Sequence, residues 1–182
     1  MPDEERALVQ RATTHDPHAF AQLYDRYVAR IYKYIYYRTG ASMSVEDLTA
    51  QVFLKAWESI ASYRWTERPF AAWLFRIAHN LIVDHYRQHR EFVSIDDLTL
   101  PNGDAPGLDD LAHSHLNEDL LRQAIAKLTD DQQQVIILKF LEGYEVEQIA
   151  DLLGKDERAI RSLQHRALAT LQRILHKGKV EL

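Results

Sequence analysis

Apolar side chains recur along this chain at helical spacing, and no run alternates in the two-residue rhythm of a half-buried strand. Phe20, Leu23, Tyr24, Tyr27, Val28, Ile31, Tyr34 and Ile35 recur three and four residues apart, which predicts one broad buried stripe on a helix. Asp16-Pro17 starts it: the acid can cap the first N–H groups, and proline lacks only a donor that the first turn does not use. Gly40 ends it. Ser44-Val45-Glu46-Asp47 caps a second helix through Leu48, Val52, Phe53, Ala56, Trp57 and Ile60. After an irregular stretch, residues 62–68, Pro69 opens a third helix carrying Phe70, Trp73, Leu74, Ile77, Ala78, Leu81 and His85. Further helices are predicted over 117–127, over 130–141 with Thr129 as N-cap, over 145–153, and over 156–176 after a turn at Gly154. The fold class is all-α.

Charge then divides what periodicity leaves continuous. The 182 residues sum to a net −5, which taken whole speaks against a nucleic-acid partner. Residues 91–119, however, hold eight acidic and no basic side chains, and everything outside them sums to +3. That acidic segment contains Pro101, Gly103, Pro106 and Gly107 and reads as a flexible tether. The chain is thus expected to form two small helical domains, 1–90 and 117–182, joined by an acidic linker over 91–116. The absence of cysteine excludes a disulfide scaffold and a thiolate metal site or nucleophile. With a polar, acidic start and no apolar run long enough to span a bilayer, the chain reads as soluble and cytoplasmic, with no membrane insertion.

The pair 145–153 and 156–176 is a short helix, a glycine turn and a longer basic helix, the helix-turn-helix pattern. With Ile160, Leu163, Ala167 and Leu171 turned inward, Arg158, Arg161, Ser162, His165 and Arg166 face outward, side chains suited to base edges and phosphates. A second constellation lies earlier. Tyr63, Arg64, Trp65 and Arg68 precede a helix that displays Asn80, Asp84 and Arg87, and aromatic surface beside positive charge and an amide is what an unstacked base needs. Trp73, by contrast, lies on the apolar stripe and reads as core. A third surface, Asp47, Gln51, Leu54, Lys55 and Glu58, mixes polar and apolar groups in the way of a protein interface.

These motifs, in this order, resemble the bacterial RNA polymerase sigma factors of the sigma-70 family, in its short extracytoplasmic-function (ECF) group. The resemblance covers residues 16–90 and 117–176. The segment Asp47-Leu48-Thr49-Ala50-Gln51-Val52-Phe53-Leu54-Lys55-Ala56-Trp57 resembles the family's core-polymerase-binding segment. Phe70-Ala71-Ala72-Trp73-Leu74-Phe75-Arg76-Ile77-Ala78-His79-Asn80, with Asp84, Arg87 and Arg90, resembles its −10 promoter segment. Residues 128–175, with Glu147-Gln148-Ile149-Ala150 and Ile160-Arg161-Ser162, resemble its −35-reading domain.

The resemblance implies a non-enzymatic initiation factor that binds core polymerase, directs it to promoters and aids melting. Asp47, Leu48, Gln51, Leu54, Lys55 and Glu58 would meet the clamp helices of the largest subunit. Loop 62–69 with Ile77 and Asn80 would hold a flipped −10 base, while Arg76, Arg87 and Arg90 would hold phosphates. It also implies an anti-sigma partner, a monomer when free, and no cofactor or metal. The chain departs from the family at Ala50-Gln51, where a Gln-acid pair is usual, and at Leu163 and Leu168, where basic side chains are common. The acidic tether reads two ways, as a solubilising spacer or as a mimic of RNA charge in a basic channel.

Two other readings compete. A stand-alone helix-turn-helix regulator would use the last two helices but has no need of the 47–57 surface or the 63–90 set. A metal enzyme could start from His85 and His89 or from His113 and His115, yet no His-Glu-x-x-His pattern, phosphate loop or nucleophile elbow occurs.

Overall fold

The computed structural model describes residues 2–39, 44–65, 69–92 and 111–180. All regular structure among them is helical, and no helix there is long and apolar enough to cross a membrane. Four helices form the N-terminal region: α1 (Pro2–Ala12), α2 (Pro17–Thr39), α3 (Val45–Ser59) and α4 (Phe70–Phe92), with a short 3-10 turn at Ile60–Ser62. Four more form the C-terminal region: α5 (Leu111–Ala126), α6 (Asp130–Ile136), α7 (Val146–Leu153) and α8 (Glu157–Val180), with α6 running on into a π-helical turn, Ile137–Leu141.

Helix starts follow the predicted chemistry. Asp16 Oδ1 accepts from the N–H groups of His18 at 2.9 Å and Ala19 at 3.2 Å. The Arg11 guanidinium grips the other oxygen at 2.7 Å, ties α1 to α2 and, with the capping bonds, holds the carboxyl below its ordinary range. Ser44 Oγ accepts from the Asp47 N–H at 3.1 Å. Glu145 sits at the start of α7, where its N–H donates to Gln148 Oε1 at 2.9 Å. Gly154 closes α7 with φ +63°, the left-handed conformation that glycine adopts without strain. Asp156 then caps α8 through the Ala159 N–H at 2.8 Å.

Three elements differ from the sequence reading. Helix α1 was not foreseen, because its apolar side is only Leu8, Val9 and Ala12 among polar residues; all three are buried against the rest of the fold. Helix α5 begins at Leu111, six residues before the expected start, and α4 runs on to Phe92. Of the predicted tether, residues 93–110 lie outside the described residues. The helix expected over 130–141 changes pitch at Ile137, where the Glu142 N–H reaches back five residues to the Ile137 carbonyl at 3.0 Å.

The N-terminal core joins Leu23, Ile31, Tyr34 and Ile35 of α2 to Val52 and Ala56 of α3 and to Phe70, Leu74, Ala78 and Ile82 of α4. The C-terminal core joins Ile125, Val135, Ile137 and Ile149 to Ile160 and Ala167 of the basic helix. Tyr24, placed on the α2 stripe by spacing, is 41% exposed and stacks edge-on against Phe53. It sits at the edge of a stripe slightly wider than the groove that receives it.

The two regions pack against each other along α2. Arg38 is buried at the end of its apolar stripe, donating to the Tyr34 hydroxyl at 3.1 Å and to the Asp130 carboxylate at the start of α6. Arg30 pairs with Glu142 at 2.7 Å, its guanidinium stacked over Tyr144. Lys33 donates to the Leu141 carbonyl at 3.1 Å, satisfying a carbonyl that the end of the helix leaves open. Tyr36 donates to Asp119 at 3.2 Å while Arg122 covers its ring. A cation on an apolar stripe without its acid leaves a buried uncompensated charge. Asp130→Ala is therefore expected to weaken docking by about 1–3 kcal/mol; small-angle X-ray scattering should show a larger radius of gyration with helicity unchanged.

Candidate nucleic-acid interface

Three surfaces carry the residues singled out by sequence. On α3, Asp47, Gln51, Leu54, Lys55 and Glu58 are all exposed on one stripe, and Leu54 is 57% exposed despite being apolar. Leu48 does not belong with them. It is buried among the core side chains, because it follows the inward spacing of Val45, Val52 and Ala56.

On α8, Arg158, Arg161, Ser162, His165 and Arg166 are all exposed, and Ile160, Leu163, Ala167 and Leu171 are buried beneath them. Arg161 is held by Glu157 one turn earlier at 2.7 Å. That is a surface pair of the kind worth little in water, so it leaves the guanidinium available to another acceptor.

The third surface lies in a cleft of about 900 Å³ between the two regions. One wall carries Tyr63, Arg64, Trp73, Arg76 and Asn80; the other carries Asp130, Asp131, Gln134 and Lys155. Arg64, Arg76 and Asn80 are exposed. The tyrosine is half-buried, its ring edge-on to Phe70 at 5.3 Å and tilted against Trp73 at 5.0 Å. Trp65 is also half-buried and packs on the hydrophobic core, as does Trp73. Ile77 is likewise half-buried against the core rather than displayed with Asn80. Further along α4, Asp84 pairs with Arg87 at 3.7 Å. Arg68 and the side chain of Arg90 lie outside the described residues. Among the described residues no group of three or more His, Asp or Glu side chains could hold a metal ion.

What the sequence reading missed is the opposing wall. Asp130 and Asp131 stand across the cleft from Arg64 and Arg76, with Lys155 paired to Asp131 at 3.0 Å. The C-terminal region thereby presents carboxylates where a phosphate-bearing ligand would otherwise face those cations. A signal was present: Arg38 extends the Ile31, Tyr34 and Ile35 stripe, and a cation on such a stripe demands an acid from elsewhere in the fold. Nothing local pointed to which acid.

The comparisons with known proteins match this anatomy. Residues 23–92 match the family described as Sigma-70 region 2, and residues 118–171 match Sigma-70, region 4. Among characterised relatives, the ECF RNA polymerase sigma factor BldN of Streptomyces coelicolor is 38% identical over 170 residues, covering 92% of this chain and 64% of BldN. The chain thus spans about two thirds of that relative's length. The ECF RNA polymerase sigma factor SigL of Mycobacterium tuberculosis is 30% identical over 174 residues, covering 94% of this chain and 97% of SigL. Among solved structures, CnrH in complex with the cytosolic domain of CnrY superposes with a TM-score of 0.72 at 25% identity, over 95% of this chain and 97% of CnrH.

An all-helical chain with exposed cations on two separate helical regions is the class that fold and site define. The chain belongs to the sigma-70 family of RNA polymerase sigma factors, within its ECF group.

A histidine also lines the cleft. His79 lies 3.5 Å from the Arg38 guanidinium and 4.0 Å from Asp130. Burial and the Arg38 charge push its pKa below the ordinary 6.5, against the weaker pull of Asp130 and Asp131. The unfolded chain therefore binds a proton that folded His79 resists. The stability contributed by neutral His79 is complete above the unfolded value and is lost as pH falls below it. The urea midpoint should fall as pH is lowered from neutrality through about 6, and His79→Gln should flatten that slope.

Proposed function

We propose that this protein binds core RNA polymerase through the exposed α3 stripe, reads the −10 element with the wall formed by Tyr63, Arg64, Arg76 and Asn80, and reads the −35 element with α8. The observation that carries this is the placement of three exposed, chemically distinct surfaces in the order of the two matched sigma-70 regions. The α3 stripe is polar with an exposed leucine, which suits a helical protein partner such as the polymerase clamp helices. The α4 wall joins arginines to a free amide and aromatic rings, which suits an unstacked base and its phosphates. The basic face of α8 stands on a glycine turn as a recognition helix does. Acting on polymerase and promoter DNA, the protein works in the cytoplasm.

Docking of the C-terminal region on α2 bears on this reading. A DNA strand reaching Arg64, Arg76 and Asn80 must displace Asp130 and Asp131 from across the cleft. Promoter binding therefore proceeds from a form in which the two regions have parted, and a protein partner that holds them together would oppose it. That the solved CnrH structure is a complex with the cytosolic domain of CnrY supports the expectation of an anti-sigma partner.

The direct test adds purified protein to core polymerase and a pool of genomic promoters and sequences the transcripts. Transcripts that need both components support the reading; duplex binding by a dimer without polymerase would favour a stand-alone regulator instead. Asn80→Ala should impair melting while sparing core affinity, so permanganate footprints should lose their reactive thymines. Arg161→Ala should cost about 1–3 kcal/mol at the cognate −35 sequence if it reads a base. Competition against scrambled duplexes separates that loss from a uniform one, which would mark a phosphate contact.

A further inference from the structure

Glu5 occupies an apolar position. On α1 it stands three and four residues before Leu8 and Val9 and seven before Ala12, the three buried side chains that pack the helix, and it is itself half-buried. A carboxylate on the packing side of a helix requires hydrogen bonds from its neighbours. Glu5 Oε1 accepts from the backbone N–H of Phe70 at 3.3 Å, across 65 residues of chain. The buried Tyr27 of α2 lies close by: burial first, and then the nearby Glu5 carboxylate, raise the pKa of its hydroxyl.

Phe70 is the first residue of α4, and its N–H is one of the donors that a helix start leaves open. Among the described residues, the side chain that reaches that donor is Glu5. Glu5 fills the role from another helix, with a negative charge where the helix dipole favours one. Phe70 in turn is the platform for the −10 loop. Its ring lies 5.3 Å from Tyr63, 5.8 Å from Tyr27 and 5.4 Å from Trp73, so Tyr63 rests on rings whose backbone Glu5 fixes.

We infer that Glu5 of α1, outside both matched family regions, is a positioning residue for the −10 reading loop: it anchors the start of α4 and thereby sets where Tyr63 and Arg64 stand. The inference rests on the proposed assignment of that loop to the −10 element. Glu5 itself touches no DNA. It acts through one backbone bond to the start of α4, which makes its effect separable from core binding on α3.

The test compares Glu5→Ala and Glu5→Gln with the parent protein, each bound to core polymerase on a promoter drawn from the protein's own transcripts, with 2-aminopurine at the −10 base that is to be flipped. Glu5→Ala is expected to slow the fluorescence rise by about tenfold while core affinity stays at the parent value. Hydrogen exchange should rise in a peptide covering residues 63–75 and stay unchanged over 47–58. Glu5→Gln keeps an oxygen that accepts from Phe70 and should restore most of the rate. A parental rate in Glu5→Ala overturns the inference, and so does a matching loss of core affinity, which would mark general damage to packing. Failure of Glu5→Gln to rescue overturns it as well. Asn80→Ala, run alongside, keeps the two ideas apart. If Asn80→Ala is defective and Glu5→Ala is normal, the anchor alone falls; if Asn80→Ala is normal, the −10 assignment falls and takes the anchor's target with it.

Discussion

A guanidinium at the buried end of an apolar stripe governs how this molecule is arranged. Arg38 sits almost wholly out of water, and α2 by itself supplies it with one partner, the Tyr34 hydroxyl. An isolated buried cation is costly enough that the fold has to bring it an anion, and that anion is Asp130, 92 residues away at the start of α6. The same helix adds Arg30 for Glu142 and Lys33 for the Leu141 carbonyl. Helix α2 is therefore both the spine of the N-terminal core and the surface on which the C-terminal region docks. These polar contacts surround an apolar junction in which Phe75 packs edge-on against Tyr144.

The docked arrangement bears on the proposed activity. The wall that would receive the −10 strand faces Asp130 and Asp131 while the regions are docked. Arg64 and Arg76 line the same cleft as Asp130, which pairs with Arg38, and Asp131, which pairs with Lys155. The formal net charge of −5 concealed this. Resolved along the chain, acidity concentrates in 91–119 and at the α6 start, and exposed basic residues gather on α8.

Much of the local structure was legible because it is decided by short-range chemistry. Asp16, Ser44, Glu145 and Asp156 each start a helix through a bond to a residue two or three positions on, and Gly154 ends one through a conformation that few other residues tolerate. The exposed set on α8 was read correctly for the same reason: once the inward residues are known, helical geometry places the rest. The misses have equally physical causes. Leu48 was grouped with its polar neighbours along the chain, but its own spacing puts it inside. Helix α1 gives a weak signal because three small or medium apolar side chains suffice to pack it. Ile77 and Trp65, both expected to take part in a base pocket, are half-buried and pack partly on the core.

By itself the sequence determined the all-helical class, the helix boundaries to within a turn in most cases, the exposed basic face of α8 and the family, since each depends on residue type at fixed spacing. Only the tertiary structure decided which acid neutralises Arg38, that α1 reaches across to cap α4 through Glu5, and that the C-terminal region stands across the cleft from Arg64, Arg76 and Asn80. Those outcomes depend on groups 65 to 112 residues apart in the chain. Many carboxylates could satisfy a buried cation or an open helix start, and only packing of the two cores selects the ones that arrive within hydrogen-bond distance.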